Sequence, residues 1–298
     1  MNFISNLQNK ISNKISNKIK IHNKKESILF SPSTLGKDLT NCTIEEILPH
    51  LLVYSSMATI ESKEKIWVAT SMLVRFLATH TNNLVAIESD APVGMLGSKE
   101  VLQGLYSNPV HDFFSEQIVH NIMSKDIEKA FPKMRVYDLL KKMNENGRDF
   151  ALIQTTDGEF STISARRLLE VGILCDTRIK VSDMPSKKVV TFQKDDNIGF
   201  LIGEMLRNNT DVVILEHTPL FVTPQTIFEK ISELNYLDGI DDFLNSKVST
   251  LNLKTGRIIS DNMTVPEMCK IMLGMKNAFV MTQNNVLTPW DLDRKSVV

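Results

Sequence analysis

Apolar positions along the 298 residues follow two alternating rhythms. Four segments carry them at i, i+3, i+4 and i+7, the spacing that lines one face of a helix. They are Ile66, Ala69, Thr70 and Leu73, with Phe76 and Leu77 extending the stripe; Val136, Leu139, Leu140 and Met143; Ile198, Leu201, Ile202 and Met205; and Val265, Met268, Cys269 and Met272. Pro266 falls in the first turn of the last stripe, where a missing N–H costs little. A short apolar run of strand length follows each stripe: Leu84–Ile87, Phe150–Ile153, Val212–Leu215 and Ala278–Met281. Polar turn residues such as Ser89-Asp90 and Thr156-Asp157-Gly158 come next, then second runs at Val93–Leu96, Phe160–Ile163, Leu220–Val222 and Val286–Leu287. An extended piece precedes each stripe, at Met57–Ile60, Ile127–Phe131, Val189–Phe192 and Ile258–Ile259. The chain thus predicts one unit, β-α-β-β-α, repeated four times.

Composition narrows the class. A chain of this length holds roughly two ordinary domains at about 150 residues each. With 42% hydrophobic residues, 12 Gly and 10 Pro, it is neither disordered nor collagen-like. Cys42, Cys175 and Cys269 lie far apart with no CxxC pair, which suits a reducing compartment and predicts a cytoplasmic protein. No apolar stretch is long enough to predict a membrane span, and the N-terminus lacks the apolar core of a signal peptide.

Charge is uneven. The whole chain carries a net -1, yet residues 1–25 hold six lysines and no acid, which leaves -7 on the rest. Within that segment NKISNKISNKIK repeats every four residues and would align Ile11, Ile15 and Ile19 on one helix face. Two readings stand: a polar tail that packs little, or a basic amphipathic anchor for an anionic surface. Ser31-Pro32-Ser33 is expected to close the tail.

Local motifs add to the repeat. Val119-His120-Asn121-Ile122-Met123 and, one residue shorter, Val181-Ser182-Asp183-Met184 resemble the V-x-D-h-M opening of cystathionine-β-synthase-type (CBS) domains. Where the last strand of each unit turns into its last helix stand Gly97-Ser98-Lys99-Glu100, Ser164-Ala165-Arg166-Arg167, Thr223-Pro224-Gln225-Thr226 and Thr288-Pro289-Trp290-Asp291. These resemble the [ST]-x-x-D element of that family, at spacings of 67, 59 and 65 residues. The resemblance covers residues 37–298. It implies an α/β (α+β) fold of four CBS repeats in two paired modules, arranged as a flattened disc. The expected segments are a basic tail at 1–35 and repeats at 36–110, 111–175, 176–240 and 241–298. It further implies a regulatory protein that is not an enzyme, binding an adenine nucleotide or related adenosyl ligand in the cleft between paired repeats. It implies no other cofactor. A regulated protein and a second copy of the chain are the expected partners.

The chemistry of the element is physical. A hydroxyl at a helix start donates to phosphate beside free backbone N–H groups. An acid three residues on shares that face and accepts from ribose hydroxyls. Only Thr288 and Asp291 keep both groups; Glu100 follows Gly97, Ser164 is followed by Arg167, and Thr223 by Thr226. One site is therefore expected between repeats three and four and a second around Glu100, with Arg166 and Arg167 as alternative phosphate ligands. Lys180 and Lys247, just before the openings of the third and fourth repeats, are further candidates, against the plainer reading of solvated lysines. Thr288 and Asp291 also fit a simple helix cap, and one residue can do both.

Other chemistry is absent from the pattern. Gly94 to Lys99 lacks phosphate-loop spacing, the six histidines form no metal set, and Asp238, Asp241 and Asp242 lack a calcium-loop pattern. The alternative to a ligand sensor is an interaction module whose clefts have lost their ligand.

Overall fold

The computed structural model describes residues 42–47, 57–76, 83–145, 148, 150–154, 160–174, 178–184, 189–233, 242–283, 285–289 and 291. The lysine-rich tail, Leu77, His80, Thr156-Asp157-Gly158, Cys175, Asp238 and Asp241 lie outside them.

The predicted unit recurs three times in full and once in part. In the first, β1 (Thr59–Glu61) runs parallel to β2 (Asn83–Glu88), which pairs antiparallel with β3 (Ala91–Gly97); α2 (Ile66–Phe76) connects β1 to β2 and α3 (Ser98–Ser107) follows β3. A short α1 (Ile44–Ile47) precedes the unit, and α4 (Phe113–Glu116) and α5 (Val119–Ile122) follow it. The second unit has β4 (Lys129–Ala130), α6 (Val136–Glu145), β5 (Phe150–Gln154), β6 (Phe160–Ser164) and α7 (Leu168–Leu174) in the same order and register. The third has β7 (Thr191–Phe192), α8 (Ile198–Arg207), β8 (Val213–Leu215), β9 (Leu220–Val222) and α9 (Pro224–Glu233).

The fourth is reduced. Its helix α10 (Val265–Leu273) and hairpin β11 (Val280–Met281) and β12 (Val286–Leu287) are present, but the expected strand at Ile258–Ile259 is a single bridge from Ile258 to Met281. The residues just upstream explain the loss: β10 (Lys254–Thr255) joins the third sheet beside β9, and the Gly256 N–H donates to Pro219. The helix predicted to follow β12 falls outside the described residues.

The i, i+3, i+4 and i+7 residues of all four predicted helix stripes are buried. Local chemistry fixes their ends. Asn197 caps α8 by accepting from the Phe200 N–H at 2.7 Å, and Thr264 forms a reciprocal box with Glu267 at the start of α10. The Thr264 N–H and hydroxyl hold the Glu267 carboxyl below its usual range. Ser89 and Asp90 both adopt positive φ, as a two-residue hairpin turn between β2 and β3 requires.

Packing closes the four units into a ring. The first and second meet through their sheets at Val85, Met95, Phe150 and Leu152. The third and fourth do likewise at Val212, Ile214, Phe221, Phe279 and Met281, with Phe221 and Phe279 edge to face at 4.5 Å. The helices of the first and third units share one large core, and α7 of the second packs with α10 of the fourth. Sheet contacts thus make the pairs, and helix contacts join the pairs.

Within each pair the opening segments are exchanged. Ile44 and Ile47, upstream of the first unit, complete the core of the second, and Thr43 bridges Arg135. In return Val119 and Met123, the V-x-D-h-M segment, complete the core of the first beside Lys65. Val181 and Met184 lie in the core of the fourth, with Lys180 bridging Thr264. Val248 and Leu251 lie in that of the third, with Lys247 bridging Asn197. Among the described residues no helix is long and apolar enough to cross a membrane.

Candidate functional site

In three of the four strand-to-helix turns the first residue's N–H donates to the side chain three residues on, and in the second turn the bond runs the other way. The Gly97 N–H donates to Glu100 Oε2 at 2.8 Å. The Arg167 N–H donates to Ser164 Oγ at 3.4 Å, and the Thr223 N–H to Thr226 Oγ1 at 3.4 Å. At Thr288 both the N–H and the hydroxyl donate to Asp291 Oδ2, at 2.7 and 3.0 Å. Asp291 is only 1% exposed. The complete hydroxyl-plus-acid pair is thus turned on itself, as the cap reading expects, with its acid inside the protein.

The first turn is different. Gly97 offers no hydroxyl, and a Cβ there would stand 2.1 Å from Asn83 Oδ1, so the Asn83 amide occupies the space of a side chain. Glu100 Oε1 is left for another donor, and Arg148 of the second unit supplies it at 3.0 Å. Arg148 also donates to Ser124 Oγ, and Ser124 is itself paired through its backbone with Met95. Beside this ion pair a cleft opens to solvent. Met95, Leu102, Phe150, Met205 and Leu206 form its apolar wall, and Lys99, Glu100, Arg148 and Asp211 bring charge of both signs. Lys99 Nζ donates to Asn209 Oδ1 at 2.8 Å, across to the end of α8. Three units therefore meet here. An apolar wall, a helix N-terminus, a carboxylate and two cations are the groups needed to hold a ring, a diol and an anion together.

The second turn is closed. Arg167 pairs with Glu170 at 2.8 Å, both buried. Arg166 donates to the backbone carbonyls of Lys276, at 2.8 Å, and Met275, just beyond α10. Burial, and then the neighbouring Arg167 charge, lower the Arg166 pKa to about 10. The Nε groups of both arginines have no hydrogen-bond partner. In the third turn Thr223, Gln225 and Thr226 are all buried.

Of the predicted residues, the structure brings only Glu100 to the described cleft. Lys247 was expected beside Thr288; it is exposed and bonded to the exposed Asp195 at 2.9 Å, against the third unit. Lys180 is exposed, with its N–H donating to Asp183. Sequence reading missed Arg148, Lys99, Asn83 and Asn209. Arg148 stands 48 residues from Glu100 and belongs to no local motif, so only the pairing of two repeats could have pointed to it. Among the described residues no three His, Cys, Asp or Glu side chains form a metal site.

No family model matches the chain, and no curated protein sequence matches it. Solved structures do. The chain has the fold of CBS-domain proteins. Over 83% of its length it superposes on 98% of a Methanocaldococcus jannaschii protein, described as a proposed archaeal homologue of γ-AMPK, with a TM-score of 0.70 and 11% identity. A shorter match, TM-score 0.35 and 14% identity, covers 44% of this chain and 94% of the CBS domain pair of a second M. jannaschii protein. That structure is a complex with 5′-methylthioadenosine and S-adenosyl-L-methionine.

Proposed function

We propose that the chain is a regulatory CBS protein that binds an adenosyl ligand in the cleft beside Glu100 and passes its bound state to another protein. The observation that carries this reading is the meeting, in one cleft, of an apolar wall, the N-terminus of α3, the Glu100 carboxylate and the Lys99 and Arg148 cations. A planar base would lie on Met95 and Phe150, and ribose hydroxyls would donate to Glu100. Arg166, Arg167, Ser164, Thr223, Lys180 and Lys247 then act structurally or at the surface. Such a protein works in the cytoplasm, where its scattered cysteines stay reduced. The regulated protein, and pairing with a second copy, belong to the same proposal.

A second reading has its own support. The self-capped Thr288–Asp291 turn of the fourth repeat and the plugged Arg167–Glu170 turn of the second favour an interaction module whose clefts hold no ligand at those turns. Thermal shift against AMP, ADP, ATP, cyclic di-AMP and S-adenosylmethionine separates the two. A ligand at 100 times its Kd stabilises by about 2.7 kcal/mol, an easily measured rise in Tm. No shift across the panel would leave the interaction module.

A further inference from the structure

Resting on that reading, we propose that Arg148 makes the cleft selective for adenosyl ligands carrying an anionic tail, a nucleoside phosphate, over neutral or cationic ones. Both oxygens of Glu100 are engaged within the protein, Oε2 by the Gly97 N–H and Oε1 by Arg148. A ribose diol must take Oε1 from Arg148 or share it. The side chains of the pair are only 20% and 11% exposed, so a displaced Arg148 cannot recover full hydration and needs another anion. Lys99, exposed and bonded to the Asn209 amide oxygen, brings a second cation to the same cleft. Asp211 lines the same cleft and opposes an anion at its own edge. A ligand phosphate near α3 gives Arg148 a bidentate partner in place of Glu100, and the helix N-terminus favours the same charge. Neutral adenosine leaves the guanidinium uncompensated, and the sulfonium of S-adenosylmethionine adds a like charge.

Calorimetry with AMP, adenosine and S-adenosylmethionine tests this on wild type, Arg148→Ala, Arg148→Lys and Glu100→Gln. Wild type should bind AMP about 10- to 100-fold more tightly than adenosine. Arg148→Ala should reduce that ratio to below about 3-fold, weakening AMP while leaving adenosine equal or tighter, since the competitor for Glu100 is gone. Arg148→Lys should keep part of the preference, because it keeps the charge without the fork. Glu100→Gln should weaken both ligands. A ratio taken within one variant is insensitive to partial unfolding, and the wild-type ratio needs no variant at all. Equal binding of AMP and adenosine by wild type, or equal loss of both in Arg148→Ala, would overturn the proposal while leaving an adenosyl site standing. Failure of wild type to bind any of the three would overturn the site and the proposal together.

Discussion

At two corners of the ring the same turn meets the end of a helix from the opposite pair. At one corner Lys99 reaches Asn209, just past α8; at the other Arg166, its equivalent in register, reaches the Met275 and Lys276 carbonyls just past α10. The next residue reverses its charge. Glu100 turns to an arginine of the neighbouring unit, and space opens beside it; Arg167 turns to Glu170 on its own helix, and both are buried. A single position, acid in one repeat and base in another, thus separates a cleft that can exchange partners from a plug that holds two helices together. The lesson is that a departure from a motif is read by what the substituted side chain finds. Glu100 departs from the family pattern and lies in the cleft, whereas Asp291 keeps it and is buried.

The contrast can be broken from the closed corner. Glu170→Ala would leave Arg167 buried without its carboxylate beside Arg166, and breaking such a pair costs about 3–5 kcal/mol. Denaturant unfolding should show this as a large loss, exceeding that of Glu100→Gln. A loss near zero would mean the corner is hydrated and the plug is not one. Asp291→Ala sharpens the contrast at intermediate cost. Removing the acceptor of two Thr288 donors should cost about 1–3 kcal/mol, yet leave AMP affinity unchanged if the ligand sits at Glu100. A selective loss of AMP binding would return the site to repeats three and four. Lys247→Ala is the smallest, because its ion pair with Asp195 is solvent-exposed. Neither Tm nor ligand affinity should move measurably, and a drop in affinity would reinstate Lys247 as a ligand contact.

The helix stripes and strand runs were legible because each is set by local periodicity, and the i, i+3, i+4 and i+7 residues of all four stripes are buried. The weak fourth opening strand was misread because a run of two isoleucines carries no sign that Lys254 and Thr255 would join another sheet. The Thr288–Asp291 spacing was legible, though as a cap its meaning lay in Asp291 burial, which depends on packing rather than spacing. The cleft was legible only through Glu100, for a similar reason. Its charges come from residues 99, 100, 148 and 211, brought together by three repeats, and no one of them lies in a pattern that names its partner.

The crossed opening segments carry a consequence for how such a chain comes into being. Val119 and Met123 finish the core that Ile66 and Leu73 begin, while Ile44 and Ile47 finish the one begun by Val136 and Leu139. A gene cut at the border between two repeats would give each fragment its neighbour's lid and strand its own on the other piece. On the ribosome, therefore, the first core stays unsealed until the lid written at the head of the second repeat emerges.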